Sequence, residues 1–424
     1  MRAWTPRRLL NISILVIIAF VVLPIYVDLG LRASLDHIEG RGTVGGIDFK
    51  AYYLAAHLLQ RGEDFYDVRA QEGAMISFGL PLNDSLYIYP PLLAILFLPL
   101  TALPVGRAAQ VWFFFNLALY GLTLAILVKS MGLDTLKEKI APLILLAFLF
   151  APVLFTLYKG QINIVILFLL ALTYWFYKRG NLAWAGVSLA CATMIKVVPG
   201  LLIFYFLWKR EYVVVWAAMG TIAVIGILGL IIAGPSAHYT FFSSVLPALG
   251  APRPNPSNQS LGGYLSLFFI PNPFTSCILN SPPLWKLLTA LLSLLLILSI
   301  SILCPRAKRA GVDLEVSLVV ATIPLVSRIA WVDLYSLLLL PYAVLARHLL
   351  QGKGRRIHVV LVVSSFFLLS SPRLVDLWTN YVAQYDWLLG NPFSLGLPFY
   401  GAIALWLVLA HMCWMKSERV TTHV

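Results

Sequence analysis

Long apolar runs constrain this chain more than any other feature of its sequence. Segments such as Ile12 to Val27 and Leu284 to Leu303 stay apolar, with scattered polar residues, over the roughly 20 positions a helix needs to cross a membrane. A transmembrane β-barrel shows short strands of alternating polarity instead, so the runs point to α-helices that satisfy their backbone groups internally. Hydrophobic residues fill 60% of the 424 positions, and charged residues only 12%, about half the share of soluble domains. That is material for about 12 spans. The expectation is an all-α polytopic membrane protein, one integral membrane domain over residues 1–424, and a soluble globular fold is excluded.

A net charge of +13 would suggest a nucleic-acid partner in a soluble protein. Here the Lys and Arg gather in short segments beside the apolar runs, which is the positive-inside pattern, and no nucleic-acid partner is expected. Taking Arg7/Arg8, Lys129 to Lys139, Lys178/Arg179, Lys209/Arg210, Arg306 to Arg309, Arg347 to Arg356 and Lys416/Arg419 as cytoplasmic places both termini in the cytoplasm of a multi-pass cell-membrane protein. The non-cytoplasmic segments are then 31–89, the turn around Gly160, 234–283, the turn near Arg328, and Ser371 to Leu395. The loops 31–89 and 234–283 dominate that face. The N-terminal apolar stretch lacks an A-x-A cleavage site and reads as a retained first span.

Two stretches strain the count. Residues 91–128 hold two apolar pieces split by Pro104 and Arg107 where parity allows one crossing, so one piece is re-entrant or interfacial. Residues 182–208 must cross twice in a short length, with Lys196 at the turn and Pro199 breaking the helix. Cys191, Cys277, Cys304 and Cys413 form no C-x-x-C pair, and the seven histidines show no paired spacing. Neither a metal site nor a cofactor is expected. No internal repeat joins the halves, which disfavours inverted-repeat transporters.

Within the first loop, Asp48 to Gly62 reads as a helix, begun by Asp48 as N-cap and stopped by Gly62. Phe49, Tyr52, Tyr53, Ala56 and Leu59 share a face, predicting an amphipathic helix on the membrane surface. Gly45 and Gly46 would let the backbone pass close to a substrate. A carboxylate at a helix N-terminus also stays ionised, as a general base must. Tyr87 and Tyr89 suit the interface as belt residues or as ligand contacts, and Pro90-Pro91 suits a helix start.

Polar residues inside apolar runs are costly unless they reach water, pair, or bind a ligand. Lys159, Gln161 and Asn163 interrupt one such run, and Lys196 sits in another, where it either snorkels to the interface or meets an anion. Arg328, Trp331 and Asp333 mark a further turn, with Arg328 and Asp333 able to pair with each other. Asn258-Gln259-Ser260 matches a glycosylation sequon, a pattern common by chance. Asp48, Lys159, Gln161, Asn163, Lys196, Asn258, Arg328 and Asp333 all fall on the non-cytoplasmic side of this topology. An acid with several cations at one face suits chemistry on a phosphate-bearing lipid: cations hold the phosphate and a carboxylate takes a proton from the incoming hydroxyl.

Taken in order, Asp48-Phe49 with Tyr52-Tyr53, Gly62 with Tyr66-Asp67, Tyr89-Pro90-Pro91, Gly160-Gln161 with Asn163, Gly186 with Lys196 and Pro199, Asn258-Gln259-Ser260, and Ser327 with Trp331 resemble glycosyltransferase family 87. These are polyprenol-phosphate-mannose-dependent α-1,2-mannosyltransferases of the GT-C superfamily. The resemblance implies a GT-C-type bundle of about 12 transmembrane helices with interfacial helices in the first external loop. It implies an inverting transfer of a hexose, mannose in the best-known members, from a polyprenyl-phosphate-sugar donor to a hydroxyl of a glycolipid or glycan acceptor. Asp48 takes the position of the catalytic base. Lys196, Arg328 and Lys159 become candidates for the phosphate, and Gln161, Asn163 and Asn258 for sugar hydroxyls, with Tyr52, Tyr89, Gln259, Trp331 and Asp333 as further binding residues. The sequence departs from the family after Ser327 and Trp331, where many members carry a histidine and this chain has Val332-Asp333-Leu334-Tyr335, and where Leu261 to Phe269 lacks an arginine, leaving the acceptor and the sugar open. A transporter or flippase of a lipid-linked substrate is the alternative, and it requires charges near the membrane midplane.

Overall fold

The computed structural model describes residues 6–28, 30, 46–82, 85–133, 139–304, 311–370 and 392–421. Among these residues the architecture is helical throughout, and the extended pairing consists of one isolated antiparallel bridge, Asn258 with Trp331. Among the described residues six helices are long and apolar enough to cross a membrane: Leu10–Asp28, Val105–Ser130, Tyr212–Ala248, Pro282–Leu303, Val332–Leu350 and Leu397–Met415. The pair Ile140–Leu149 and Ala151–Lys159, bent by 51°, would make a seventh. Five apolar helices of 10–17 residues, among them Asn163–Lys178 and Leu182–Ile195, are shorter than an unassisted span requires. Residues 31–45 of the first expected loop, 134–138 of the Lys129 to Lys139 cluster, all of Arg306 to Arg309, and 371–391 lie outside the described residues.

The chain packs as two compact units. The first comprises residues 1–149, 153–197 and 216–249. Its helices are α1 (Pro6–Ile17), α2 (Ile47–Gln60), α3 (Val68–Ser77), α4 (Pro91–Phe97, extended by a 3-10 turn Leu98–Ala102), α5 (Val105–Ser130), α6 (Ile140–Leu149), α7 (Ala151–Lys159), α8 (Asn163–Lys178) and α9 (Leu182–Ile195). The split within residues 91–128 falls at Leu103-Pro104. It separates one helix of spanning length, α5, from the short piece Pro91–Ala102, which packs on α2 rather than running beside α5 as a second full span. Pro90 is the N-cap of α4 and Pro91 its first residue, where the missing N–H costs nothing.

Two expectations for α2 need correction. Its N-cap is Gly46, in a left-handed conformation at φ 65°, and Asp48 lies in the first turn. The helix is also not amphipathic: Phe49 through Ala56 are all buried, Lys50 included, because α3, α4 and α5 close round it. A helix buried on all sides carries no surface stripe. It ends as anticipated, with Gly62 at φ 71° and the Glu63 N–H returning to the Leu58 carbonyl.

The second unit comprises residues 150–152, 198–215 and 250–424. It contains α10 (Leu201–Trp208), the first residues of α11 (Tyr212–Thr240), α12 (Leu261–Phe269), α13 (Pro282–Leu303), α14 (Val312–Val326), a 3-10 segment Val332–Leu338, α15 (Leu339–Leu350), α16 (Arg356–Ser370) and α17 (Leu397–Thr421). Thirteen of the 15 residues of α14 are buried, which makes it the core helix of this unit. In contrast, the buried residues of α13 are Trp285 and Ile300 alone, as suits a helix facing lipid. The expected loop 234–283 is helical at both ends of its first part: α11 kinks at Gly234 (φ 79°) and Pro235 and runs on through Ala248, and α12 follows. The glycine supplies the conformation at which the helix bends without ending.

Lys209 and Arg210 divide their expected role. Arg210 is exposed, whereas Lys209 is buried and forms a 3.0 Å ion pair with Glu315 of α14, whose Oε2 also accepts from Tyr205 at 2.7 Å.

Candidate active site

The first unit gathers Asp48, Tyr52, Tyr89, Gln161, Asn163 and Lys196 through three local devices. The first is the turn between α7 and α8. Gly160 adopts φ 68°, and a Cβ there would sit 2.6 Å from the Cβ of Phe49, so only glycine lets this turn meet the start of α2. The Gly46 N–H donates to the Tyr158 carbonyl at 3.0 Å and Trp112 Nε1 donates to the Gly160 carbonyl at 2.7 Å, tying the turn on both sides. Asp48 is thereby held half-buried in the first turn of α2.

A network around Gln161 forms the second device. Tyr52, one helical turn beyond Asp48, donates to Gln161 Oε1 at 2.5 Å, and Gln161 Nε2 donates to the Tyr89 hydroxyl at 3.0 Å. Burial, then the Tyr89 hydroxyl and the Asp48 carboxylate, push the Tyr52 phenol well above its ordinary range. Tyr52 therefore stays a neutral donor. Tyr89 is fixed in turn by its backbone, since the Tyr66 hydroxyl donates to its carbonyl at 2.6 Å. Tyr87 is buried rather than in an interfacial belt, and its hydroxyl accepts from the Ala94 N–H at 2.9 Å and donates to the Pro90 carbonyl at 2.6 Å, capping α4.

The third device is the break after α9. Lys196 leaves the helix in extended conformation (φ −147°, ψ 121°), as the Pro199 signal anticipated, and is half-buried. Its Nζ donates to Asn163 Oδ1 at 3.0 Å and lies 5.7 Å from the centroid of the Tyr89 ring. Asn163, fully buried at the start of α8, holds the ammonium in place. Lys159 is half-buried at the end of α7.

In the second unit, Asn258, Gln259, Arg328, Trp331 and Asp333 belong to two segments joined by the Asn258–Trp331 bridge. Asn258 Oδ1 accepts from the Ala330 N–H at 3.0 Å and from Ser260 Oγ at 3.1 Å. Gln259 Oε1 accepts from the Phe399 N–H at 3.0 Å, and its Nε2 donates to the Leu395 carbonyl at 2.9 Å. Both amides hold the chain in shape, and Ser260 caps α12 through Gly263. Arg328 is exposed, Trp331 half-buried and Asp333 buried. Among the described residues no cluster of three His, Cys, Asp or Glu side chains could hold a metal.

Sequence reasoning missed Lys50 and Gln71. Lys50 is buried, donates to the Pro81 carbonyl at 3.0 Å, and is pushed down to about 8 by burial. Gln71 accepts from the Tyr87 N–H at 2.7 Å and donates to the Phe65 carbonyl at 3.0 Å, stapling the segment before Tyr89. Lys50 reads in sequence as a basic end of a surface helix, and nothing local marks Gln71.

An acid, a held ammonium and an aromatic hydroxyl network thus lie together within the first unit of a helical chain. The model for glycosyltransferase family 87 matches residues 87–328, more than half of the chain, and the chain belongs to that family. It is 27% identical over 252 residues to a polyprenol-phosphate-mannose-dependent α-(1-2)-phosphatidylinositol pentamannoside mannosyltransferase of Mycobacterium tuberculosis, covering 58% of this chain and 55% of that one. A phosphatidylinositol mannoside mannosyltransferase of the same organism, also polyprenol-phosphate-mannose-dependent, is 26% identical, covering 52% and 53%. The chain thus spans about half the length of the curated relatives it matches. Among solved structures, ArnT from Cupriavidus metallidurans bound to undecaprenyl phosphate aligns with a TM-score of 0.45 at 14% identity, covering 93% of this chain and 77% of that one.

Proposed function

We propose that this protein is an inverting membrane glycosyltransferase that moves a hexose, mannose in the first instance, from a polyprenyl-phosphate-sugar donor to a hydroxyl of a glycolipid or glycan acceptor. The reaction is assigned to the non-cytoplasmic face of the cell membrane, with both termini cytoplasmic. The observation that carries the reading is one arrangement within the first unit: the half-buried acid Asp48 at the start of α2, and the half-buried ammonium of Lys196 bonded to Asn163, linked by the Tyr52–Gln161–Tyr89 network. Asp48 lies outside the segment matched by the family model, so its assignment rests on the packing of α2 against the Gly160 turn, which is inside it.

In the proposed step the acceptor oxygen attacks the anomeric carbon, its proton passes to the Asp48 carboxylate, and the bond from the anomeric carbon to the phosphate oxygen breaks with its electron pair going to the lipid phosphate. Lys196, with Lys159, neutralises the charge that gathers on that phosphate. Tyr52, Tyr89 and Asn163 line the same cluster. In the second unit Arg328 is the candidate cation for an anionic group of donor or acceptor, with Trp331 in the same segment. The scaffold hydrogen bonds of Asn258 and Gln259 favour a supporting role for both over direct sugar contact.

The test is full-length protein in liposomes with polyprenyl-phosphate-mannose and a mixed glycolipid acceptor pool. A hexose-extended lipid of inverted anomeric configuration supports the reading. Movement of the donor lipid between leaflets with no new glycosidic bond would support the flippase alternative instead.

A further inference from the structure

Gln161 is 1% exposed, yet it touches the neighbours of both proposed reacting groups. Its Oε1 accepts from the Tyr52 hydroxyl at 2.5 Å and from the Ile162 N–H at 2.9 Å, with the Tyr89 hydroxyl a longer contact at 3.3 Å. The backbone N–H of Ile162 can only donate, so the amide oxygen must face it. That turns the NH2 group toward the Tyr89 hydroxyl at 3.0 Å. Tyr52 belongs to the helix that carries Asp48, one turn away, and its ring meets that of Tyr89 edge-on at 5.0 Å. The Tyr89 ring lies 5.7 Å from the Lys196 ammonium. One side chain therefore joins the acid's helix to the cation's aromatic neighbour.

We propose that Gln161 is a positioning residue, fixing the separation of the Asp48 carboxylate and the Lys196 ammonium through Tyr52 and Tyr89 instead of binding the sugar. The proposal rests on the reading of this cluster as a glycosyl-transfer centre. In a displacement at the anomeric carbon, base and phosphate-holding cation serve opposite sides of one atom, so their spacing sets the fraction of complexes aligned to react. Binding of the donor itself depends on its lipid and sugar contacts, which this role assigns to residues other than the buried Gln161. Loss of the amide is thus felt in turnover more than in binding.

Full-length variants in liposomes, with polyprenyl-phosphate-mannose and the acceptor pool, test this. Gln161→Met removes the polar contacts to Tyr52, Ile162 and Tyr89 at similar volume; kcat falls by roughly 100-fold while the donor KM stays within about threefold. Gln161→Glu still accepts from Tyr52 and Ile162 but adds a negative charge near Asp48. A like charge raises the pKa of the base, so the acid limb of the kcat/KM profile moves to higher pH, a shift that a role in packing alone does not produce. Tyr89→Phe keeps the ring beside Lys196 and loses the hydroxyl, lowering kcat by roughly tenfold. If Gln161→Met does not fold, the pH profile of Gln161→Glu and the turnover of Tyr89→Phe decide. Unchanged kcat with raised KM in Gln161→Met, or an unmoved acid limb in Gln161→Glu, would overturn the positioning role while leaving the transferase standing. Absence of turnover in the wild type would overturn the transferase reading, and this role with it.

Discussion

Lys196 shows what one charge in an apolar chain demands of its neighbours. The helix stops before it, Asn163 bonds its ammonium and the Tyr89 ring faces it. Replacing it by Met keeps the stem and removes the charge, and the expected result is transfer slowed by roughly 100-fold in an otherwise folded protein, read as product per unit time. Lys50 makes a different demand. Its ammonium is buried and pushed down to about 8, against 10.5 when unfolded, so between those values the unfolded chain binds more protons than the folded one. Stability is therefore expected to rise with pH from about 8 to about 10, a rise to be sought in thermal melts of wild type and expected to be absent from those of Lys50→Met. The polar pattern singled out Asp48 and Lys196 as candidates because a charge beside helix-breaking residues is conspicuous. It did not reveal Lys50 or Gln71, whose roles depend on which segments close over them. It also misread Asp48 as the cap, since Gly46 enters α2 through a left-handed turn that a sequence does not display.

Among elements, the α7–α8 turn and the α10–α14 contact are the ones most exposed to single changes. Gly160→Ala places a methyl 2.6 Å from Phe49 Cβ at φ 68°, and a loss of about 2 kcal/mol or more is expected, read by thermal or denaturant unfolding. Lys209→Met strands the Glu315 carboxylate in the second unit and costs about 3 kcal/mol or more, most of which returns when Glu315→Gln is added. Retention of full stability by Lys209→Met would show that the pair is not buried as described. Helix ends at Gly62, Pro90 and Lys196 were legible because Gly and Pro act on the backbone locally. The run of α11 past Gly234-Pro235 to Ala248 was not, because a bend and an end leave the same residues in the sequence.

For the molecule as a whole, the apolar runs were enough to give a helical, multi-pass membrane protein, and family membership follows from the segment 87–328. The number of spans was less legible. Helices of 10–17 residues such as Asn163–Lys178 are apolar enough to lie in the bilayer but short of its thickness, and length alone leaves their path undefined. The central chemical assignment is the carboxylate of Asp48. Purified wild type and Asp48→Asn, matched for folding by gel filtration and thermal melt, would be incubated with polyprenyl-phosphate-mannose and the glycolipid pool, and hexose-extended lipid measured by mass spectrometry. Product from the wild type and a loss of roughly 1,000-fold or more in the variant is the predicted result. Equal product from both would contradict a base at position 48.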